Sequence, residues 1–228
     1  KTVGSTTTNY RYDVRGRLVG VDTNNDQIDD ITYVYNDAGI RVAKTENSVV
    51  TQFLIDNQNH TGFAQVLEEK DAAGVVQRSY VLGHDVISQA DSGSAPVHLV
   101  YDGHGSTRAL ADAAGQIVTP TSGPGTGVSQ LFAFNAYGEA LGFDESQAIT
   151  TLLYSGEWFE ATTGMQYLRA RYYDQATGRF GRLDPFAGTV REPLSLHKYV
   201  YASLNPANNI DPSGRVSLTS TIVCAGIS

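Results

Sequence analysis

The hydrophobic pattern along this chain repeats with a period of two. Aromatic residues stand two apart at Tyr10 and Tyr12, at Tyr33 and Tyr35, and at Phe132 and Phe134. Each pair therefore points to one face of a strand. After the aromatic comes Asp or Asn, two spacers and Gly. The pattern runs Tyr12-Asp13 to Gly16, Tyr35-Asn36 to Gly39, Tyr101-Asp102 to Gly105 and Phe134-Asn135 to Gly138, with one extra residue in Tyr173-Asp174 to Gly178. Asp or Asn caps a turn by accepting backbone N–H groups ahead of it, and Gly supplies a positive φ at low cost. The chain then returns as a second alternating strand, as in RLVGVDT, RVAKTE and TRALADA. Each unit thus predicts a β-hairpin. Degenerate copies are expected around QFLID and RSYVLG, in the 66-residue gap between the second and third units.

Stacked hairpins bury their faces only against neighbours, so the repeats predict one continuous antiparallel sheet. Composition agrees. The 228 residues include 23 Gly and 13 Tyr, which suits short strands and tight turns. The net charge of −8 argues against a nucleic-acid-binding surface. No run approaches the roughly 20 apolar residues of a membrane helix. The single Cys224 forms no internal disulfide. With Lys1 first and no signal peptide visible, the chain reads as a piece of something longer.

These residues resemble a known family. YRYDVRGRL, residues 10–18, matches the YD repeat of Rhs proteins. Residues 154–185, ending in RARYYDQATGRFGRLDP, and residues 193–214, ending in IDPSG, resemble the Rhs repeat-associated core. The resemblance covers roughly residues 10–214. It implies an all-β fold of YD hairpins in a curling spiral sheet, a partial β-shell closed by the core segment. The expected organisation is hairpins over 1–150, the core over 151–215 and the start of a variable tail over 216–228. It further implies a secreted or cell-surface scaffold for encapsulation or adhesion. The expected partners are the chain's own C-terminal segment or neighbouring copies, the latter as a homo-oligomer or filament built through open sheet edges.

The same resemblance implies a second activity. Many bacterial members cleave themselves once, through an aspartyl-protease-like core, and release a C-terminal toxin. Asp184 and Asp211 are the candidate catalytic carboxylates, with Arg182 as the group that holds one of them ionised. Cleavage is then expected near Gly214-Arg215-Val216, although Arg215 stands where cleaving members carry Leu. Set against this, Asp-Pro followed by Gly is also a good turn sequence. Asp174 belongs to the repeat pattern and reads as a turn cap.

One further stretch has ligand character. VDTNNDQIDD, residues 21–30, spaces Asp22, Asn24, Asp26 and Asp30 like the front of a calcium loop, without the usual Gly and closing Glu. The bland reading is a polar hairpin loop. The aromatic cluster of Trp158, Phe159, Met165, Tyr167 and Tyr172 reads as core. Short helical turns are expected near DPFAG and NPANNI.

Overall fold

The computed structural model describes residues 1–3, 6–191 and 193–219. Cys224 and the rest of the tail beyond 219 lie outside the described residues. A short ribbon, β1 (Thr2–Val3) with β2 (Thr6–Thr7), opens the chain. Ten strands follow: β3 (Asn9–Tyr12), β4 (Leu18–Asp22), β5 (Ile31–Tyr35), β6 (Arg41–Glu46), β7 (Val49–Asp56), β8 (Gln65–Lys70), β9 (Val76–Leu82), β10 (Val86–Asp91), β11 (Val97–Tyr101) and β12 (Thr107–Ala111). They lie side by side in chain order, each antiparallel to the next, in one open sheet.

The repeat explains the turns. In the first unit Gly16 N–H donates to Asp13 O at 2.7 Å, and Arg17 N–H donates to Asp13 Oδ1 at 2.8 Å. Asn36, Asp102 and Asn135 do the same for Ile40, Ser106 and Glu139. The register shifts at Tyr12, Tyr35 and Tyr101, so each turn carries a bulge with its Gly at positive φ. Two further turns show the same bonds, one inside the gap between the second and third units and one after the third. Asp71 accepts from Val75 N–H and Asp112 from Gln116 N–H, both at 2.9 Å. Neither is preceded by an aromatic residue, which hides them from the motif. The tyrosine also has a task. Tyr35 Oη donates to Leu18 O at 2.7 Å and Tyr101 Oη to Val86 O at 2.8 Å, tying each hairpin to an earlier strand.

Alternation decides which face is buried. Tyr33, Phe53, Tyr80 and Leu99 point inward, while their chain neighbours Val34, Leu54, Val81 and Val100 face out. The inner face is covered by a second sheet of β13 (Trp158–Glu160), β14 (Met165–Leu168), β15 (Arg171–Asp174) and β16 (Arg179–Phe180). Trp158 meets the rings of Phe53 and Tyr80 at 5.5 and 5.9 Å, and Tyr172 meets Tyr33 at 5.5 Å. Strands β13 to β15 are buried on both faces, so this part of the chain shows no period of two. Behind it, Tyr154, Leu168, Tyr173, Phe180 and Tyr201 form a second cluster, with Tyr173 stacked on Tyr201 at 4.0 Å. Each such buried side chain contributes about 1.5–3 kcal/mol.

Between the two sheets sits a buried charge network. Arg41 pairs with Glu160, whose other oxygen meets Lys44 Nζ at 3.0 Å. The Arg41 guanidinium lies 4.3 Å from the Tyr167 ring centre and 5.0 Å from that of Phe53.

The expected helical turn near NPANNI is present as a 3₁₀ turn over Ala202–Leu204, and another falls at Pro193–Leu196, but none forms at DPFAG. A second expectation is corrected at Asp174. The Asp174 carboxylate does not cap its turn. It faces Lys1 Nζ at 2.7 Å, because the extra residue in this unit shifts the turn bonds to Asp174 O and Gln175 O. A last ribbon, β17 (Asn209–Ile210) with β18 (Leu218–Thr219), folds the end of the described chain back onto its closing motif.

Candidate functional site

Strand β15 aims Arg171 beneath the closing segment, where its side chain is almost wholly buried. Phe180 lies against the guanidinium, 3.5 Å from ring centre to Cζ. Nη2 lies 2.8 Å from Asp184 Oδ2 and 3.4 Å from Asp211 Oδ2. Nη1 donates to Lys198 O at 3.1 Å, and Nε donates to the Gly214 carbonyl. One side chain thus ties its own strand to three segments, around Asp184, Lys198 and Asp211–Gly214. The two aspartates expected to act together, 27 residues apart, are brought to the same nitrogen.

Asp211 is buried, and its carboxylate faces the junction that follows it. Oδ1 accepts from Ser213 Oγ at 3.1 Å, from Arg215 N–H at 3.0 Å and from Val216 N–H at 3.1 Å. Burial pushes the Asp211 carboxyl up, and the attraction of Arg171 and the N–H donors offsets this only in part. Asp184 is less enclosed. Its Oδ1 accepts from Phe186 N–H at 2.8 Å, a turn bond of the Asp-Pro type. A cavity of about 90 Å³ opens beside Arg171, Asp184 and Asp211 and is bounded by Arg215 and Val216. That exceeds the roughly 10–15 Å³ a water molecule needs. Gly214 sits at φ 65°, and a Cβ there would lie 2.3 Å from Leu168 O, so glycine is required on both counts.

Arg182 is not the arginine of this site. Its guanidinium lies over Gly16 in the first repeat turn, so close that a Cβ on Gly16 would fall 1.8 Å from Cζ. The residue that pairs with both carboxylates is Arg171. Its signal was a cationic side chain at the head of RYYD, residues 171–174, which fold as a strand buried on both faces. A charge in such a strand needs paired acids.

The candidate calcium residues take a different arrangement. Asp22 Oδ1 accepts from the N–H groups of Asn24, Asn25 and Asp26, and Oδ2 from Gln27 N–H and Asn9 Nδ2. Asp30 Oδ2 accepts from Thr23 N–H at 2.7 Å, and Asp26 from Ile28 N–H and Asn24 Nδ2. These carboxylates therefore face donors rather than one another. Among the described residues no three His, Cys, Asp or Glu groups are placed to hold a metal ion.

Ser106 is a turn residue. Its N–H donates to Asp102, and its Oγ accepts from Ser155 N–H at 3.0 Å. No helix among the described residues is long and apolar enough to cross a membrane.

No protein-family model matches the chain. Among curated proteins it is 29% identical over 209 residues to the tRNA3(Ser)-specific nuclease WapA of Bacillus spizizenii, and 29% identical over 215 residues to the tRNA nuclease WapA of Bacillus subtilis. Each match covers 90% of this chain, which spans only 8% of the length of those relatives. Among solved structures, the TcdB2-TccC3-TEV crystal structure matches at a TM-score of 0.62 and 20% identity, over 91% of this chain and 10% of that one. The chain therefore has an Rhs-like fold, an open antiparallel β-sheet like that of the TcdB2-TccC3 structure.

Proposed function

We propose that this chain is a wall-and-closing segment of an Rhs-type shell in a secreted or surface-exposed, toxin-associated protein. The supporting observation is the ten-stranded sheet in strict chain order, with one face covered by β13 to β15 and the other exposing Val34, Leu54, Val81 and Val100 to water. A wall needs that asymmetry, because one face must hold the closing segment while the other meets water. The WapA relatives are named as tRNA nucleases, but this segment spans 8% of their length. A net charge of −8 makes it a poor surface for tRNA, so the nuclease activity is assigned elsewhere in such proteins. Electron microscopy of the full-length parent protein tests the reading. The expected result is a hollow particle with these residues in its wall. A solid particle without an internal cavity would refute it.

A second reading rests on the Arg171 arrangement. The core would cleave its own Gly214-Arg215 peptide once. A water in the cavity gives a proton to Asp184 as its oxygen attacks the Gly214 carbon. Arg171 Nε stabilises the oxyanion on the carbonyl it already touches. Protonated Asp211 delivers a proton to the Arg215 nitrogen, the C–N bond breaks, and a Gly214 carboxylate and an Arg215 amine result. Arg171 stands between the carboxylates, so they take separate roles rather than sharing one proton. Intact mass of the chain, wild type beside Asp184→Asn and Asp211→Asn, tests this. A break at Gly214-Arg215 that disappears in either variant supports it, and an unbroken wild type after prolonged incubation removes it.

A further inference from the structure

A cleft of about 620 Å³ lies beside the aspartate site, sharing His197 and Val200 with its cavity, and is lined also by Tyr137, Glu139, Arg179, Lys198 and Tyr199. Two of these, Arg179 and Lys198, are cations in a chain of net charge −8. Arg179 is exposed. Its partner across the ladder, Asp174, has one carboxylate oxygen on Lys1, and no ion pair to Arg179 is present among the described residues. Lys198 Nζ donates to Phe186 O and Ala187 O at 2.6 and 2.8 Å, which leaves one of its three N–H groups. The one acid, Glu139, is engaged by Asn135 Nδ2 at 2.6 Å.

The cleft also runs along a strand edge. Phe180 N–H donates to Tyr199 O at 2.9 Å, and Arg179 bridges to Val200. Residues 199–200 therefore extend the second sheet past β16, and among the described residues no strand pairs beyond them. An open edge beside a basic cleft fits an added strand carrying carboxylates. A compact apolar ligand would want an enclosed apolar pocket instead.

From these features we infer that the cleft binds an extended acidic peptide segment, laid along Val200 with its carboxylates on Arg179 and Lys198. Charge complementarity selects the occupant, and the strand edge fixes its extended form. The site does not depend on self-cleavage, and neither Arg179 nor Tyr199 belongs to that machinery.

The test uses the full 228-residue chain and a short fluorescent peptide alternating Val and Glu, followed by anisotropy. The same peptide with Gln for Glu is the control. The acidic peptide should bind, and Arg179→Glu should weaken it by about tenfold or more. Raising salt from about 0.05 to 0.5 M should weaken it as well. Thermal melting of Arg179→Glu should match wild type, because the side chain is exposed. Equal binding of the Gln peptide, or binding indifferent to Arg179→Glu, would overturn the inference. Dextran sulfate binding as well as the peptide would also overturn it, by making the cleft a general anion site without a strand-like occupant.

Discussion

Replacing Arg41 by Met should expose how the two sheets are held together. Its guanidinium is buried, pairs with Glu160, touches Tyr172 Oη at 3.0 Å and is ringed by Tyr33, Phe53, Trp158 and Tyr167. Arg41→Met leaves the Glu160 carboxylate in the core with Lys44 as its only cation. Removing one partner of a buried pair costs about 3–5 kcal/mol, against a total stability of roughly 5–15 kcal/mol. For a chain of this size the melting temperature should fall by roughly 6–20 °C. Replacing the pair together, Arg41→Met with Glu160→Met, should recover most of the loss, because apolar side chains of similar volume fill the site without an orphan charge. Urea denaturation of the single and double variants measures the coupling. A single variant that costs under about 1 kcal/mol, or a double variant no better than the sum of the singles, would refute this account. A pH dependence follows from the same network. Burial alone would raise the Glu160 carboxyl, but Arg41 and Lys44 more than offset it and hold it below its ordinary value. A depressed carboxyl stabilises the fold above its unfolded pKa of about 4.3, and that contribution is lost as pH falls through the folded value.

Other outcomes are expected. Asp71→Ala should destabilise the fold by about 1 kcal/mol through loss of the Ala73 and Val75 N–H bonds, while Asp37→Ala at an exposed turn position should stay within about 0.5 kcal/mol; urea midpoints decide. On the self-cleavage reading, cleavage followed by intact mass against pH should speed up as pH falls through the raised Asp211 pKa, since that carboxyl must carry the proton for the leaving nitrogen, and a rate that rises with pH would oppose this role. Calcium should leave the melting temperature unchanged, because the Asp22 carboxylate is already filled by backbone N–H donors; a calcium-dependent rise would make the loop over 21–30 a metal site.

The hairpin architecture was legible in the chain because its causes are local. Alternating aromatics set the strand faces, and Asp or Asn with Gly four residues after the aromatic set the turn, so neighbours in sequence became neighbours in the sheet. The copies at Asp71 and Asp112 do not carry the full motif because their turns need only the carboxylate and the glycine, not the aromatic. Asp184 and Asp211 could be named from their Asp-Pro motifs, but which arginine joins them could not. Arg182 is closer in sequence, yet Arg171 reaches both carboxylates because β15 is an interior strand whose side chains run under the closing segment. Likewise, nothing local distinguishes a calcium loop from one whose carboxylates accept backbone N–H bonds. Strand and turn identity follow from interactions within a few residues, whereas the partners of a buried charge are chosen by whichever distant segments the packed core brings to it.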